Sequence, residues 1–265
     1  MRLHLAVFAC GLRRYSTYRA ATFAGLVTNS VFGLINATIL LAVFAARPEV
    51  NGYDATDAVT QVFLAQALLA PVAAFGPPLG LGERVRSGEV AVDLLRPAHL
   101  APWWLAHDLG RSAFSLLFRS LPTFAVGALV FTLRLPQGPA HWGMAAVSVA
   151  LAMLVGFALR YLYALAGFWL LDTRGVNTAA ALLGSFCSGL LLPLAFFPDL
   201  LGSSLRLLPW ASMVQVPADV FLGKEGVLGG PLGGLALQAA WAAALLWLCA
   251  ALTARATRRV VVQGG

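Results

Sequence analysis

The chain has 265 residues, 60% of them hydrophobic and 11% charged, with a mean hydropathy of +0.81. A soluble domain carries about 25% charged residues, so a water-soluble fold is excluded, and apolar runs without period-two alternation exclude an outer-membrane barrel. The net charge of +7 would suggest nucleic acid in a soluble protein; here it reads as the Lys and Arg excess that holds loops at an anionic membrane face, and no nucleic-acid partner is expected.

These runs imply an all-α, polytopic membrane protein, since a hydrocarbon core ~30 Å thick takes roughly 20 apolar residues per helical span. Residues 1–20 hold a short apolar patch followed by Arg13, Arg14 and Arg19, where a signal peptide would place a small-residue cleavage site. They read as a basic interfacial helix. Six spans follow at roughly 21–46, 58–79, 112–133, 142–171, 176–197 and 231–252. They are joined by 47–57, a charged stretch from 80, the Pro-bearing 134–141, the tight DTRG at 172–175, and 198–230. No repeat or second domain interrupts 1–265.

Lys and Arg fall unevenly on alternate sides. One side holds Arg2, Arg13, Arg14, Arg19, Arg84, Arg86, Arg96, Arg174, Arg255, Arg258 and Arg259; the other holds Arg47, Arg134, Arg206 and Lys224. The positive-inside rule puts both termini in the cytoplasm of a bacterial-type plasma membrane. Cys10, Cys187 and Cys249 are far apart in apolar surroundings and read as small buried hydrophobes.

The stretch 80–111 crowds Glu83, Arg84, Arg86, Glu89, Asp93, Arg96, Asp108 and Arg111 between oily runs. On a helix, Glu83, Arg86, Glu89, Asp93 and Arg96 share one face, with Gly88 a point of breakage and Pro97 and Pro102 ending the helix. Trp103 and Trp104 then mark the headgroup zone. A solvated topogenic loop needs only Lys and Arg, whereas this face mixes signs as a docking surface does.

Here the sequence resembles a known family. Gly88, Glu89, Leu94, Leu95, Arg96 and Pro97 form the G-E-x-x-x-x-L-L-R-P pattern of a cytoplasmic loop in ABC-2-type transporter permeases. The block LLPLAFFPDLLGSSLRLLPWASMVQVPADVFLGK, 191–224, resembles the same family between its fifth and sixth spans. The resemblance implies the membrane subunit of an ABC exporter, with 80–102 carrying a coupling helix seated in a separate ATP-binding subunit. The coupling residues would be Glu83, Arg84, Arg86, Gly88, Glu89, Asp93, Arg96 and Pro97. It further implies two copies of that subunit, which binds the ATP and Mg, and a second permease half, identical or not.

Pro193, Pro198, Pro209 and Pro217 cut the outer block into pieces too short to span. Broken helices at membrane depth persist where protein or a water-filled cavity satisfies their backbone. A re-entrant segment over 198–230 acting as an outer gate therefore fits, with Phe197 and Trp210 among its residues; the alternative is an apolar loop lying on the lipid surface.

Polar groups inside spans are costly and point to function or packing. Arg160, midway along the fourth span, suits either pairing inside the bundle or contact with a substrate. Asn29, Ser30 and Asn36 of the first span are the candidate pathway or dimer-contact residues, beside Gln61, Gln66 and Asn177. Asp108 and Arg111 have i,i+3 spacing for a structural pair. No carboxylate is expected deep within a span, which disfavours a secondary transporter. His4, His99, His107 and His141 lack zinc spacing, and no phosphate-binding loop occurs. The chain is therefore expected to hold no metal, cofactor or catalytic residue; a membrane-embedded lipid-processing enzyme would need a catalytic cluster at one face.

Overall fold

The computed structural model describes residues 2–74, 79–95, 98–170 and 173–259. Among them are helices α1 (Arg2–Ser16), α2 (Arg19–Ala46), α3 (Ala55–Val72), α4 (Leu81–Arg86), α5 (Val90–Leu94) and α6 (Leu100–Ser115). Then come α7 (Leu121–Val130), α8 (Gly138–Leu165), α9 (Arg174–Cys187), α10 (Asp199–Leu207), α11 (Gln215–Leu222) and α12 (Pro231–Ala256). Among the described residues, five helical rods are long and apolar enough to cross a membrane: Arg19–Ala46, Ala55–Val72, Leu100–Val130, Gly138–Phe168 and Pro231–Ala256.

α3 is the central rod, buried without a break from Asp57 to Leu68. It starts at a reciprocal cap, in which Asp54 accepts from the Asp57 N–H at 2.8 Å and Asp57 from the Asp54 N–H at 3.1 Å. α2, α6–α7, α8 and α11 pack around it. Lipid gives helices no hydrophobic reason to associate, so close packing must do it. Phe63 is wedged where two glycines, Gly33 of α2 and Gly127 of α7, leave room for its ring. Gly156 brings α8 onto the last turn of α3, so close that a Cβ would stand 2.6 Å from the Val72 carbonyl. α1 crosses α6 through Gly11, set against the His107 carbonyl, and Gly110, set against the Phe8 carbonyl.

The third and fifth expected spans change. The third rod begins at Leu100, not near 112, because Pro102 sits in the first turn of α6, where a missing N–H costs nothing, and so opens a helix instead of ending one. Within that rod, Leu116–Ser120 form a π turn, with the Leu121 N–H bonding back to the Leu116 carbonyl. Pro122 accounts for it, having no N–H to offer Phe118 and a ring that crowds the Phe118 carbonyl. The expected span at 176–197 is helical only as α9, whose 14 residues reach about 21 Å. It stops where Gly189 takes φ +80, a backbone that accommodates glycine, with Gln215 occupying the space a side chain would need.

Cys187 and Cys249 are buried as expected, but Cys10 is exposed, since α1 turns Val7 and Gly11 toward the bundle.

Gly110→Leu should destabilise the α1–α6 crossing by about 1–3 kcal/mol through overpacking. Thermal unfolding in detergent should register this as a lowered Tm, while Gly143→Leu, at an exposed site with open space around it, leaves the Tm near wild type.

Candidate functional site

Between α3 and α6 the chain makes two short helices where one was expected. Ser87, Gly88 and Glu89 separate them, with Gly88 at φ +79. The single charged face over 83–97 therefore does not run through; Arg84, off that face, is the hub. Its Nε and Nη2 hold the two Asp93 carboxylate oxygens at 2.5 and 2.9 Å, and Nη1 reaches Glu89 at 2.9 Å. This bidentate fork is the stronger form of ion pair. Arg86 pairs with Glu83 at 2.5 Å and holds the exposed Glu83 carboxyl below its usual range. Arg96 and Pro97 lie outside the described residues. Leu81 and Val90 are buried in the main core, and Gly82 lies beside Ala164 near the end of α8. The loop is thus seated on the bundle, with Glu83, Arg86 and Glu89 left on its rim.

The same end of the bundle holds a buried ion triple. The last carbonyls of α3 have no intrahelical donor, and Arg111 of α6 supplies one. Its Nη1 donates to Ala70 O at 2.7 Å and its Nη2 to Pro71 O at 2.8 Å, beside Ser112 Oγ at 2.8 Å from Pro71 O. A guanidinium there also meets the negative end of the helix dipole. Asp108 holds Arg111 at 2.7 Å, closing the expected i,i+3 pair, and its other oxygen accepts Arg160 Nη2 at 2.5 Å. One carboxylate therefore ties α3, α6 and α8. Asp108 is 2% exposed, in the third turn of its rod, and two cations offset its desolvation.

Beside the triple opens a cavity of about 720 Å³, whose walls include Arg14 and Tyr15 of α1, Trp104, and Arg119 from the π turn. Trp104 is buried there, while Trp103 stacks on His107 with centroids 5.9 Å apart. Arg119 donates to Asn29 Oδ1 at 3.0 Å, and Asn29 Nδ2 donates to Gln66 O at 3.0 Å, so Asn29 bridges α2, α3 and the π turn. Ser30 is buried on the same side, and Asn36 lines a small gap with Gln61, Gly189 and Pro193.

At the opposite end α11 is buried along its whole length. Gln215 organises this end: its Oε1 accepts from Gln61 Nε2 at 2.7 Å and from the Leu194 N–H at 2.8 Å, and its Nε2 donates to Asp219 at 2.8 Å. The Tyr53 hydroxyl donates to Asp219 as well. Asp57 takes Lys224 at 2.6 Å and Arg134 at 3.1 Å, and Arg134 reaches Asp54 at 2.6 Å. The prolines start elements: Pro193 precedes the turn Leu194–Phe196, Pro198 caps α10 after the extended Phe197, Pro209 precedes the turn Ala211–Met213, and Pro217 sits in the first turn of α11. Trp210 instead reaches back toward the triple: it donates to Tyr163 Oη at 3.0 Å and lines a cavity of about 110 Å³ with Met213, Arg160 and Asn177. Among the described residues, no group of three His, Cys, Asp or Glu side chains could hold a metal ion.

A family description, ABC-2 family transporter protein, matches residues 32–264. The chain belongs to the ABC-2 transporter family. No curated protein and no solved structure matches it. As an ABC-2 family member it is a membrane component of transport, and its all-helical bundle with several membrane-crossing rods agrees with that assignment.

Some of this ABC-2 protein's organising residues carry no local signal. Tyr53, Asp57, Gln215 and Asp219 are spread over three segments, and only tertiary folding brings them together. Asp54 and Asp57 could have been found as a D-x-x-D helix start.

Asp108→Asn should cost about 3–5 kcal/mol by leaving two buried guanidinium groups without their carboxylate; adding Arg160→Met should cost less than the sum of the two single changes, read from unfolding midpoints. At the other end, burial pushes the Asp54 carboxyl up, but the Asp57 N–H and Arg134 outweigh it and hold it low. A depressed folded pKa gives stability that is present at neutral pH and lost as pH falls through and below about 4. Unfolding temperatures measured down to that range should fall less steeply in Asp54→Asn than in wild type.

Proposed function

We propose that this chain is the transmembrane permease subunit of an ABC-2-type exporter. It forms the translocation pathway and couples ATP hydrolysis by a separate ATP-binding subunit to substrate export. In this reading α9 and the re-entrant turns beyond it complete a sixth, broken crossing, and the whole of 1–265 is one permease domain. Both termini, α1 and the α4–α5 loop lie in the cytoplasm of a bacterial-type plasma membrane, as the Lys and Arg distribution supports. ATP and Mg belong to the partner, present in two copies, and a second permease half completes the pore.

The observation that carries this reading is the seating of the α4–α5 loop. A loop kept only for solubility has no reason to bury Leu81, Val90 and Asp93 while presenting Glu83, Arg86 and Glu89 outward. A partner pressing on that rim pushes through α4 onto the end of α8, and a packed core passes such a push on instead of absorbing it. At the other end, α11 with Pro193, Phe197, Pro198, Pro209, Trp210 and Pro217 forms the outer gate. Asn29, Ser30, Asn36 and Arg160 border the pathway or the contact between halves.

Reconstitution with a cognate ATP-binding cassette subunit tests the coupling role. The paired reversal Glu89→Lys and Arg96→Glu should weaken co-purification about tenfold or more, since like charges set against each other across an interface are costly, and should lower transport-linked ATP turnover in step. Unchanged assembly and turnover would remove the loop from the coupling role.

A further inference from the structure

The cavity beside Asp108 has an unbalanced charge. Its walls carry four arginines, Arg14, Arg111, Arg119 and Arg160, against one carboxylate, Asp108. That carboxylate is already shared by Arg111 and Arg160. Neither Arg14 nor Arg119 has an ion pair with any described residue, and the buried Arg119 Nε has no hydrogen-bond acceptor. Arg14 is exposed at the mouth and Arg119 is partly buried, so an anion entering the cavity meets two guanidinium groups that no carboxylate of the described residues neutralises.

The cavity also specifies the anion's form. Guanidinium forks match the paired oxygens of phosphate, and about 720 Å³ is within the range of small-ligand pockets. The remaining wall is apolar or amphipathic, with Leu69, Leu79, Phe114, Tyr15 and Tyr18. It suits the first methylenes of an acyl or prenyl chain. Gly25 completes the arrangement: the Arg119 guanidinium lies where its Cβ would be, 2.7 Å from that position at Nη1.

We propose that this cavity binds the phosphate head of an anionic amphiphile taken from the membrane leaflet, with Arg119 and Arg14 as the open cations and the Asp108 triple as the floor. The proposal deepens the exporter reading by naming a ligand class, and rests on it only for the membrane setting. Its test needs no ATPase, so a chain that couples to none can still bind, and the two readings fail separately.

Native mass spectrometry of the full chain in detergent, with dioleoyl phosphatidylglycerol titrated against dioleoyl phosphatidylcholine, provides the measurement. Wild type should retain the anionic lipid with a preference of about fivefold or more, the scale of one basic residue near a lipid phosphate. Arg119→Gln should abolish most of that preference, and Gly25→Ala, which displaces the guanidinium while favouring the helix, should reduce it. Arg119→Lys should restore part of it. Arg47→Gln, which removes an exposed charge at the far end of α2, should leave it intact. Equal retention of both lipids by wild type, or equal losses in Arg119→Gln and Arg47→Gln, would overturn the proposal. Displacement of the lipid by inorganic phosphate at matching concentrations would overturn the amphiphile assignment in favour of a soluble phosphate.

Discussion

The fold turns on one carboxylate. Asp108 is shared between Arg111, which caps α3, and Arg160, which projects from α8. Removing it would leave three elements without a common anchor and two buried guanidinium groups without a counter-charge. An ion pair of this kind contributes little net stability compared with apolar packing, yet breaking it is expensive. Its effect is therefore to fix geometry: α3, α6 and α8 have one relative placement that satisfies the shared carboxylate.

Around this anchor, shape complementarity carries the packing. Gly33, Gly127, Gly156, Gly11 and Gly110 each admit a ring or a carbonyl where a side chain would collide. Because lipid tails are as apolar as leucine, such close approach is what distinguishes a helix neighbour from lipid. The prolines work at a different level. Pro102 opens a rod, Pro122 imposes a π turn, and Pro193, Pro198 and Pro209 divide the segment after α9. Each removes a backbone donor, and backbone groups near these breaks find side-chain partners: Ser120 on Ser115 O, Gln238 on Ser212 O, and the Leu194 N–H on Gln215.

These features divide by range in what the sequence discloses. Membrane class, the first, second, fourth and last rods, the Gly88 break and the Asp108–Arg111 pair all follow from periodicity or spacing within a few residues. The missed features are tertiary. Arg84 as hub depends on α5 folding back to bring Asp93, nine positions on, to its guanidinium. The burial of Asp108 depends on Arg160, 52 residues away. α9 stops early because Gln215, from a later helix, fills the space beside Gly189. Hydropathy over 176–197 continues past that stop and so extends the span too far. Of the candidate site residues, those in the loop and on α2 were visible as polar groups in an oily chain, but their partners were not.

The loop and the cavity are mechanically joined. Leu79 and Gly80 line the cavity and lead directly into α4; Gly80 stands within van der Waals reach of Trp104, which lines it from α6. α3 ends at Ala73 in a left-handed conformation, a strained backbone for alanine and a natural pivot between the rod and the charged loop. Any displacement of α4 by a partner must therefore move the cavity wall at Leu79–Gly80, while Arg111 keeps the other wall fixed to α3. Under the proposed function, the force that enters at the charged rim is delivered first to the site where four arginines meet one carboxylate.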